Sequence, residues 1–592
     1  MKLIRSHDKH GPMRVNCHAH VYNLRSVLTR RTISLIADRL TREGFPPFAI
    51  AAVSELLEEY QFRPEYLVEE ELLTRLLRKM VRQPTFRSFV LGDGALPPEI
   101  RLLAESRATE PPNGDALRAL LDKLSTAFNR AANGDSRGTT LSDLVETLRV
   151  AMQPEIADVA DRLLERMRPE DALVALATDL TAQDESDGEQ KLFWNQLVGT
   201  RAAALRHPGR VLPFVGVDTQ RAEHFETLQH AVERFGFVGV KLYPPLGSQV
   251  DTPAMDKIYS FCIEHELPIV VHCSRGGFQA RREAVDNSRP ELWRPVLTEY
   301  PDLRVCFAHF GGWAGLGQPD GDPWAQEIMA LMRDFEWVFA DVSGHVDMMQ
   351  GGEREATYFR NLKRLLAEAP YANRILFGTD SWLARLRLAD EHYWQYFAAR
   401  LSDAEFQWIT EDTPRLFLGL PNDAGIGERA NMRRFVSFVV ENRDRLGAEP
   451  TRWVRQLVGR FHGPVTFSVS RTDSGWSPNN EAHYQTFRFF RREQLAGEHE
   501  RMMFEETKHL RLRQMLYWNR DHDGADLFQR TCYMLAENLD DFFRKRGASD
   551  EDGSDRSRAV AKLAGAVAEG GRTLADLGRI VDALYRFRAE GN

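Results

Sequence analysis

Two histidines separated by one residue, His18 and His20, stand near the start of the chain in the sequence RVNCHAHVYN. If this run is a β-strand, its side chains alternate between two faces, so both imidazoles project to the same side, about 7 Å apart along the backbone. Two neutral imidazoles on one face can share a metal ion. The pair alone is also compatible with two partly exposed histidines at a strand end, so further ligands must come from the rest of the chain.

Four more residues with suitable chemistry follow hydrophobic runs later in the chain: Lys241, His272, His309 and Asp380. The first two intervals between them each match one strand–helix repeat, and the last matches two. Considered alone, each residue has a structural explanation. A histidine at such a position can be a hydrogen-bonded core residue, the aspartate can cap a helix, and the lysine can form an ion pair. Taken together, imidazoles and a carboxylate form a mixed nitrogen and oxygen ligand set, which suits Zn²⁺ and also accepts Mn²⁺, Fe²⁺ or Co²⁺.

The hydrophobic runs predict eight parallel strands that carry these residues. Each is rich in Val, Ile, Leu and Phe with little alternation, which is typical of strands buried on both faces, and amphipathic helical stretches lie between them. Eight such repeats favour an α/β fold of the (β/α)8 TIM-barrel type, with an open doubly wound sheet as the alternative. Polar residues at the strand C-terminal ends, where barrel active sites lie, favour the barrel. The strands are predicted over residues 13–17, 171–180, 210–218, 237–243, 267–273, 303–309, 337–344 and 374–380.

Two parts of the chain fall outside a minimal barrel, which we predict over residues 1–20 and 171–421. Residues 21–170 have helical patterns and predict a large helical insertion after strand 1, which on the barrel rim would cap the site. Residues 422–592 predict a C-terminal α+β or mostly helical extension. That extension contains strand-like runs at 464–471 and 484–492 and a polar, acidic linker at 547–557, but no catalytic signature.

In this order, the motifs VNCHAH, GVKLYP, VVHCSRGG, CFAHFGG, FADVSG and LFGTDSW resemble the amidohydrolase superfamily, in particular its amidohydrolase-related (amidohydrolase 2) branch of metal-dependent TIM-barrel hydrolases. That branch also contains decarboxylases and lactonases. The resemblance covers the first strand and residues 171–421. It therefore implies an enzyme that depends on one or two divalent metal ions, Zn²⁺ being the expected one.

The resemblance also implies a role for each motif residue. His18 and His20 match the paired ligands of the first strand, and His272 matches the ligand of the fifth. Asp380 matches the eighth-strand carboxylate, which binds metal and shuttles the proton of the attacking water. His309 matches the sixth-strand histidine, which either polarises the substrate or holds a second metal.

Lys241 stands where members with two metals carry a carboxylated, bridging lysine, whereas members with one metal lack that bridge. It is thus a metal ligand only if it is carboxylated. Asp341 and Ser343, on the seventh strand, are expected to form a buried hydrogen-bonded pair behind the ligands. Whether His345, in the loop that follows, reaches the substrate is left open by the sequence.

Candidate substrate-binding residues lie close to these motifs. Arg275, in the glycine-rich segment SRGGF, can hold a carboxylate or phosphate through a bidentate contact, or can pair with a neighbouring loop. Tyr243, Trp313 and Trp382 can line an aromatic pocket or serve as packing. We therefore expect a small-molecule substrate, with an anionic group as one option.

The amino-acid composition limits which kinds of binding partner are expected. The 592 residues have 43% hydrophobic content and a formal net charge of −9, with no basic stripe that would favour nucleic acid. Five sparse cysteines argue against a disulfide framework, and neither a leader nor a membrane-spanning run is found. These features predict a soluble, cytoplasmic protein, with residues 21–170 or 422–592 available for a homo-oligomer or a protein partner.

Three functions remain open at this point. The first is a hydrolase in which metal-activated water attacks an amide, lactone or ester carbonyl and Asp380 shuttles the proton. The second is a decarboxylase of an aromatic or unsaturated acid, with Asp380 protonating carbon at the same site. The third is a metal-stabilised scaffold that acts through residues 422–592; no catalytic position of the family is missing, which argues against it.

Overall fold

The computed structural model describes residues 13–42, 44–62, 69–86, 141–184, 191–317, 322–381, 390–422 and 425–467. All of these belong to one compact unit, Met1–Arg471. A second unit, Thr472–Asn592, lies outside the described residues, as do the predicted strand at 484–492 and the linker at 547–557. Residues 464–467 contain no strand, and the rest of the run predicted at 464–471 is not described.

Eight parallel strands form a closed barrel in chain order. Each strand pairs with the next, and the barrel closes between its ends, where Cys17 N donates to Phe377 O over 2.9 Å and Ala19 bridges to Ser381. Every predicted strand is confirmed, and the open doubly wound sheet is excluded. The strands are β1 Val15–Ala19, β2 Ala172–Leu176, β3 Val211–Val217, β4 Gly239–Leu242, β5 Ile269–His272, β6 Val305–Ala308, β7 Val338–Asp341 and β8 Ile375–Leu376.

Helices surround the barrel and fill the described parts of residues 21–170, which contain no strand. The insertion contributes α1 Arg30–Arg42, α2 Pro47–Phe62, α3 Glu69–Arg82, α4 Leu141–Ala151 and α5 Ile156–Leu164. The barrel helices are α6 Leu192–Arg206, α7 His224–Arg234, α8 Pro253–Glu264, α9 Trp293–Glu299, α10 Ala314–Gly317, α11 Pro323–Asp334, α12 Gly352–Ala367, α13 Asp390–Ala398, α14 Asp403–Gln407 and α15 Thr413–Leu418. Two further helices follow, α16 Ala430–Glu441 and α17 Arg452–Phe461.

The helical insertion shares one hydrophobic core with the barrel. Buried side chains of α1 to α5 belong to the same cluster as β1 and β2. Polar contacts add to this: Arg206 on α6 pairs with Asp158 and Asp161 of the insertion over 2.7 and 2.8 Å, and Arg42 on α1 donates to the Gly277 carbonyl after β5 over 2.6 Å. The described helices of the insertion are therefore packed against the barrel.

The last two described helices pack at the opposite end of the barrel. Trp453 Nε1 on α17 donates to Gly209 O just before β3, over 3.1 Å. Asn431 on α16 donates to Val238 O just before β4, over 3.0 Å. Because both carbonyls precede their strands, α16 and α17 cover the N-terminal ends of the strands, away from the rim that carries the site.

A buried carboxylate links the first two strands at this lower end. Asp171, immediately before β2, is fully buried and accepts hydrogen bonds from the guanidinium groups of Arg14, over 2.5 Å, and Arg168, over 2.9 Å. It also accepts from the Arg14 backbone N–H, over 3.2 Å. Arg14 thereby joins the start of β1 to the start of β2, whereas the contact with Arg168 stays within the segment before β2.

Glu411, close to the same arginines, makes the stability of the fold depend on pH. Burial raises its pKa from the ordinary 4.5 to about 7, although Arg168 lowers it. Stability contributed by the neutral carboxyl is therefore fully present below pH 4.5 and is lost as the pH rises through about 7. When the pH is raised from 4.5 to 8, the free energy of unfolding should fall by about 2–3 kcal/mol less in Glu411→Gln than in the parent.

Urea denaturation at the two pH values measures this difference. The matched control is Glu368→Gln, which removes a carboxylate that is 46% exposed and pairs with Arg364 over 3.7 Å. This control should follow the parent at both pH values, since exposed pairs contribute little. Equal pH dependence in Glu411→Gln and the parent would contradict the assignment.

Candidate metal centre and active site

Side chains from four strand ends converge on one cavity at the C-terminal end of the barrel. β1 carries His18 and is followed directly by His20, β5 ends in His272, His309 follows β6, and Asp380 follows β8. The four histidines are buried, and the carboxylate of Asp380 is 16% exposed toward the cavity. The parallel barrel brings these residues together because all its strands end at the same rim.

The donor atoms lie within a few ångströms of one another. Asp380 Oδ1 is 3.2 Å from His20 Nε2 and 3.5 Å from His18 Nε2. His309 Nε2 is 3.2 Å from His272 Nδ1. Within the described residues, His18, His309 and Asp380 form the group whose ligand atoms all lie within 4.8 Å of each other. His309 is thus as close to the centre as the ligands implied by the resemblance.

His18 is oriented by a buried carboxylate. Its Nδ1–H donates to Asp341 Oδ2 over 2.9 Å, which leaves the Nε2 lone pair directed at Asp380. That Nε2 is buried and has no hydrogen-bond partner among the described residues. Burial and the nearby Lys241 lower the pKa of His18 to about 3, so the ring is neutral, as a metal ligand must be. A divalent cation would satisfy this nitrogen, and the donor set therefore fits a metal ion.

The neighbouring groups have the protonation states that this chemistry needs. Burial lowers the pKa of His20 and, together with His309, that of His272. Burial alone would raise the pKa of Asp380, but the hydrogen bond from His20 and the charge of His309 hold it well below its usual range. At neutral pH the rings of His18, His20 and His272 are therefore neutral, and the carboxylate of Asp380 is ionised.

Lys241, on β4, lies near the same cavity. Its amino group has no hydrogen-bond acceptor among the described residues. Its Nζ is buried and lies 5.7 Å from the centre of the Tyr243 ring. Burial lowers its pKa to about 8, although Asp341 and Asp380 raise it. A lower pKa favours the neutral amine, the form that carboxylation requires, but the bridging role of Lys241 stays a prediction.

The backbone is strained at two of the candidate ligands. His309 and Asp380 have φ values of 63° and 58°, in the left-handed region that non-glycine residues rarely adopt. Such conformations cost about 1–3 kcal/mol each and persist only where the surrounding structure enforces them. A hydrogen bond from Asp380 N to His18 O, 2.9 Å long, contributes to that enforcement. The fold thus stabilises a costly backbone conformation where the carboxylate meets the histidines.

Two glycines are required by close packing against the ligands. A Cβ atom at Gly378 would lie 2.5 Å from His18 Cβ. At Gly277, where φ is 77°, it would lie 2.2 Å from the Tyr243 hydroxyl and 2.9 Å from His272 Cε1. Distances below 3 Å exclude a side chain, so the motifs LFGTD and SRGGF need glycine at these positions.

Hydrogen bonds behind the cavity hold His309 in place. Its backbone N–H donates to Asp341 over 2.9 Å, and its Nδ1 lies 3.1 Å from the Ser343 carbonyl. Ser343 Oγ donates to Asp341 over 2.5 Å, as the predicted buried pair requires. His345 Nε2 donates to the His309 carbonyl over 2.8 Å, and its Nδ1 accepts from the Tyr358 hydroxyl over 2.6 Å. Both ring nitrogens of His345 therefore bond to protein, so its contribution is to position His309.

Asp341→Asn is expected to weaken metal binding by about 10- to 100-fold, because an amide cannot hold His18 as a carboxylate does. Titration of the metal-free protein with Zn²⁺ measures the change. Asp334→Asn is the matched control: it makes the same change at a carboxylate that is 48% exposed and pairs with Arg294 over 2.8 Å, so its affinity should equal that of the parent. Unchanged affinity in Asp341→Asn would show that His18 is not a ligand.

The predicted substrate residues surround the same cavity in different ways. Tyr243 stacks on His272 with ring centres 4.2 Å apart, and its hydroxyl accepts from Phe278 N over 3.0 Å. Trp313 lines the cavity wall. Arg275 also lines it, but its guanidinium pairs with Asp322, as the second interpretation of this residue expected. Trp382 lies outside the described residues.

Sequence reasoning also missed Arg39, a charged residue of the wall. It comes from α1 of the insertion and lines the cavity together with His20 and Tyr243. Its guanidinium carbon lies 5.3 Å from the centre of the Phe278 ring. No motif marks Arg39, because none of the motifs that carry the family resemblance lies in α1.

Fold and site together define a TIM barrel with a candidate metal site at the C-terminal ends of its strands. The sequence model described as amidohydrolase matches residues 137–420, just under half of the chain, and this match supports the resemblance to the amidohydrolase-related branch. The match includes the positions of His272, His309 and Asp380 and begins after β1. No curated protein matches the chain. In the described residues, no helix is long and apolar enough to cross a membrane.

Solved structures with a similar fold include three enzymes. A 5-carboxyvanillate decarboxylase from Novosphingobium aromaticivorans, with bound manganese, is 13% identical, with 70% of this chain and 98% of that chain covered and a TM-score of 0.37. The 2,6-dihydroxybenzoate decarboxylase from Rhizobium is 16% identical, with 44% and 87% covered and a TM-score of 0.31. The 4-oxalomesaconate hydratase from Rhodopseudomonas palustris is 12% identical, with 69% and 95% covered and a TM-score of 0.35.

Proposed function

We propose that the protein is a metal-dependent hydrolase acting on an amide, lactone or ester carbonyl. The observation that carries this proposal is the position of Asp380: its carboxylate lies 3.2–3.5 Å from the Nε2 atoms of His20 and His18 and still reaches the open cavity. Asp380 can therefore bind next to a metal and exchange a proton with a molecule in the cavity. A divalent cation bound there supplies Lewis acidity and a lowered pKa for water.

The side chains of the site have separate roles in this proposal. His18, His20, His272 and Asp380 hold the ion, in the arrangement that the resemblance implies. Asp380 accepts a proton from the attacking water at its carboxylate and passes it to the leaving group. His309, held by its Nδ1 contact with Ser343, presents Nε2 to the substrate oxygen. Its closeness to His18 and Asp380 also allows it to ligate the ion.

A decarboxylase is the second candidate, and Arg39 favours it. A guanidinium in the cavity wall is suited to bind a carboxylate in a bidentate manner, as an acid substrate needs. Asp380 faces the cavity in either case, where its carboxylate would act as a base in the hydrolase and, once protonated, as an acid toward carbon in the decarboxylase.

Product analysis on the zinc-loaded and manganese-loaded full-length protein tests both. One substrate set contains aryl esters, amides and lactones, and the other contains hydroxybenzoic and unsaturated acids. A new carboxylate without carbon dioxide supports the hydrolase, and carbon dioxide supports the decarboxylase. Activity equal in the parent and in Asp380→Asn would overturn both candidates. Both would also be overturned if a preparation with one or two ions per chain formed neither a new carboxylate nor carbon dioxide.

A further inference from the structure

A second cavity lies inside the helical insertion, next to the catalytic cavity. It is bounded by α1, α2 and α4, with Leu180 after β2 on the barrel side. We call this cavity the apolar chamber. Its walls are mostly Leu, Val and Ile side chains, among them Leu35, Ile36, Leu57 and Leu148.

The polar groups in the walls of the apolar chamber are few. Thr32 is one of them, and its hydroxyl donates to the Thr29 carbonyl over 3.0 Å. Arg39 is the charged residue of the described lining. A void with hydrocarbon walls does not hold ordered water, which needs two to four polar partners, but it does bind hydrocarbon groups. The chamber is thus chemically suited to an uncharged alkyl or aryl group.

The chamber borders the metal centre through shared residues. Arg39 lines both the chamber and the catalytic cavity. Tyr22 lines the chamber and packs edge-on against His20, with ring centres 5.7 Å apart. Phe278 also lines the chamber, and its backbone N–H bonds to Tyr243 of the catalytic cavity over 3.0 Å. The chamber and the catalytic cavity therefore share part of their walls, with Arg39 in the shared part.

From this arrangement we infer that the apolar chamber is a second compartment of the substrate site and accepts an alkyl or aryl substituent of an acidic or carbonyl substrate. The reacting group lies at the metal centre, Arg39 contacts the polar group at the junction, and the hydrocarbon part enters the insertion. The inference rests on the proposed function in placing the reacting group at that centre. It adds the substrate class, which neither the family match nor the ligand set specifies.

Binding of straight-chain carboxylates from acetate to octanoate tests this inference without requiring turnover. Isothermal titration of the zinc-loaded full-length protein gives a dissociation constant for each acid. We expect Kd to fall about threefold for each added methylene group and then to level off when the chamber is full. A parent protein that binds octanoate no more tightly than propanoate, or binds neither, would overturn the inference.

Variants with larger side chains in the chamber walls test whether the alkyl chain of the carboxylate binds there. Ile36→Trp and the smaller change Leu148→Phe should abolish the gain with chain length while propanoate affinity and zinc content stay at the parent level. Ile50→Trp on α2 is the control, because Ile50 is partly buried but does not line the chamber, and it should retain the gain. If affinity still rises with the length of the alkyl chain in both filled variants, the alkyl chain binds outside the chamber and the inference is wrong.

Failure of this inference can be told apart from failure of the proposed function. If octanoate binding depends on the chamber but the protein yields neither product in the assays above, the compartment stands and the assigned reaction does not. If hydrolysis or decarboxylation is found with flat dependence on chain length, the reaction stands and the compartment is rejected.

Discussion

Asp380→Asn is expected to reduce kcat/KM by at least about 10³-fold, since proton transfer by a positioned group contributes about 10²–10⁴-fold and the same carboxylate also binds the metal. An amide oxygen can still face His18 and His20, but it cannot take the proton of water. Zinc affinity should fall as well, by at least about 100-fold. Steady-state kinetics on the substrate found by product analysis, together with zinc titration, measure both effects.

The control for this prediction is Asp334→Asn, which removes a carboxylate 48% exposed at the end of α11. Its kinetics and zinc content should equal those of the parent. His309→Asn separates the remaining roles: retained zinc with lost turnover assigns His309 to the substrate, whereas lost zinc makes it a ligand. A fully active Asp380→Asn protein would refute the proposed mechanism.

Asp171→Ala is expected to lower the free energy of unfolding by about 3–5 kcal/mol, the usual cost of removing one partner of a buried ion pair. Asp171 is fully buried, whereas the side chains of Arg14 and Arg168 are 23% and 32% exposed. The change leaves both guanidinium groups, and the backbone N–H groups of the same two residues, without their acceptor. Chemical denaturation of the metal-free protein measures the loss.

Glu165→Ala is the matched control for Asp171→Ala. It also removes a carboxylate paired with an arginine, Arg162, at 3.2 Å, but the glutamate side chain is 53% exposed. Because water already solvates both partners, we expect a change of at most about 1 kcal/mol. Similar losses in the two variants would mean that burial of Asp171 does not determine its contribution.

The barrel could be predicted from the sequence because strands buried on both faces leave a strong local signal. All eight runs of Val, Ile, Leu and Phe form strands, and the polar residue after each run lies on the shared rim. The strand fills the smallest share of its predicted run at β8, where residues 374–380 contain only Ile375–Leu376. There Phe377 N donates to Ile409 O over 2.9 Å, and Asp380 adopts the left-handed conformation.

The parts of the site that could not be predicted depend on contacts between distant segments. Positions at strand ends indicate that His309 and Asp380 share a rim, but not that His309 approaches His18 and Asp380 within 4.8 Å. The pairing of Arg275 with Asp322 joins residues that no local pattern connects. Arg39 reaches the cavity only because α1 packs on the barrel, which is a tertiary effect without a periodic signal.

The helical insertion affects how the candidate site can change through substitution. The candidate ligands lie on or directly after barrel strands, whereas α1 and α4 supply walls of the apolar chamber and Arg39 on α1 also lines the catalytic cavity. The proposed reaction and the proposed choice of substrate thus depend on separate segments of the chain. A substitution in α1 or α4 is expected to change which molecules bind without moving a candidate ligand.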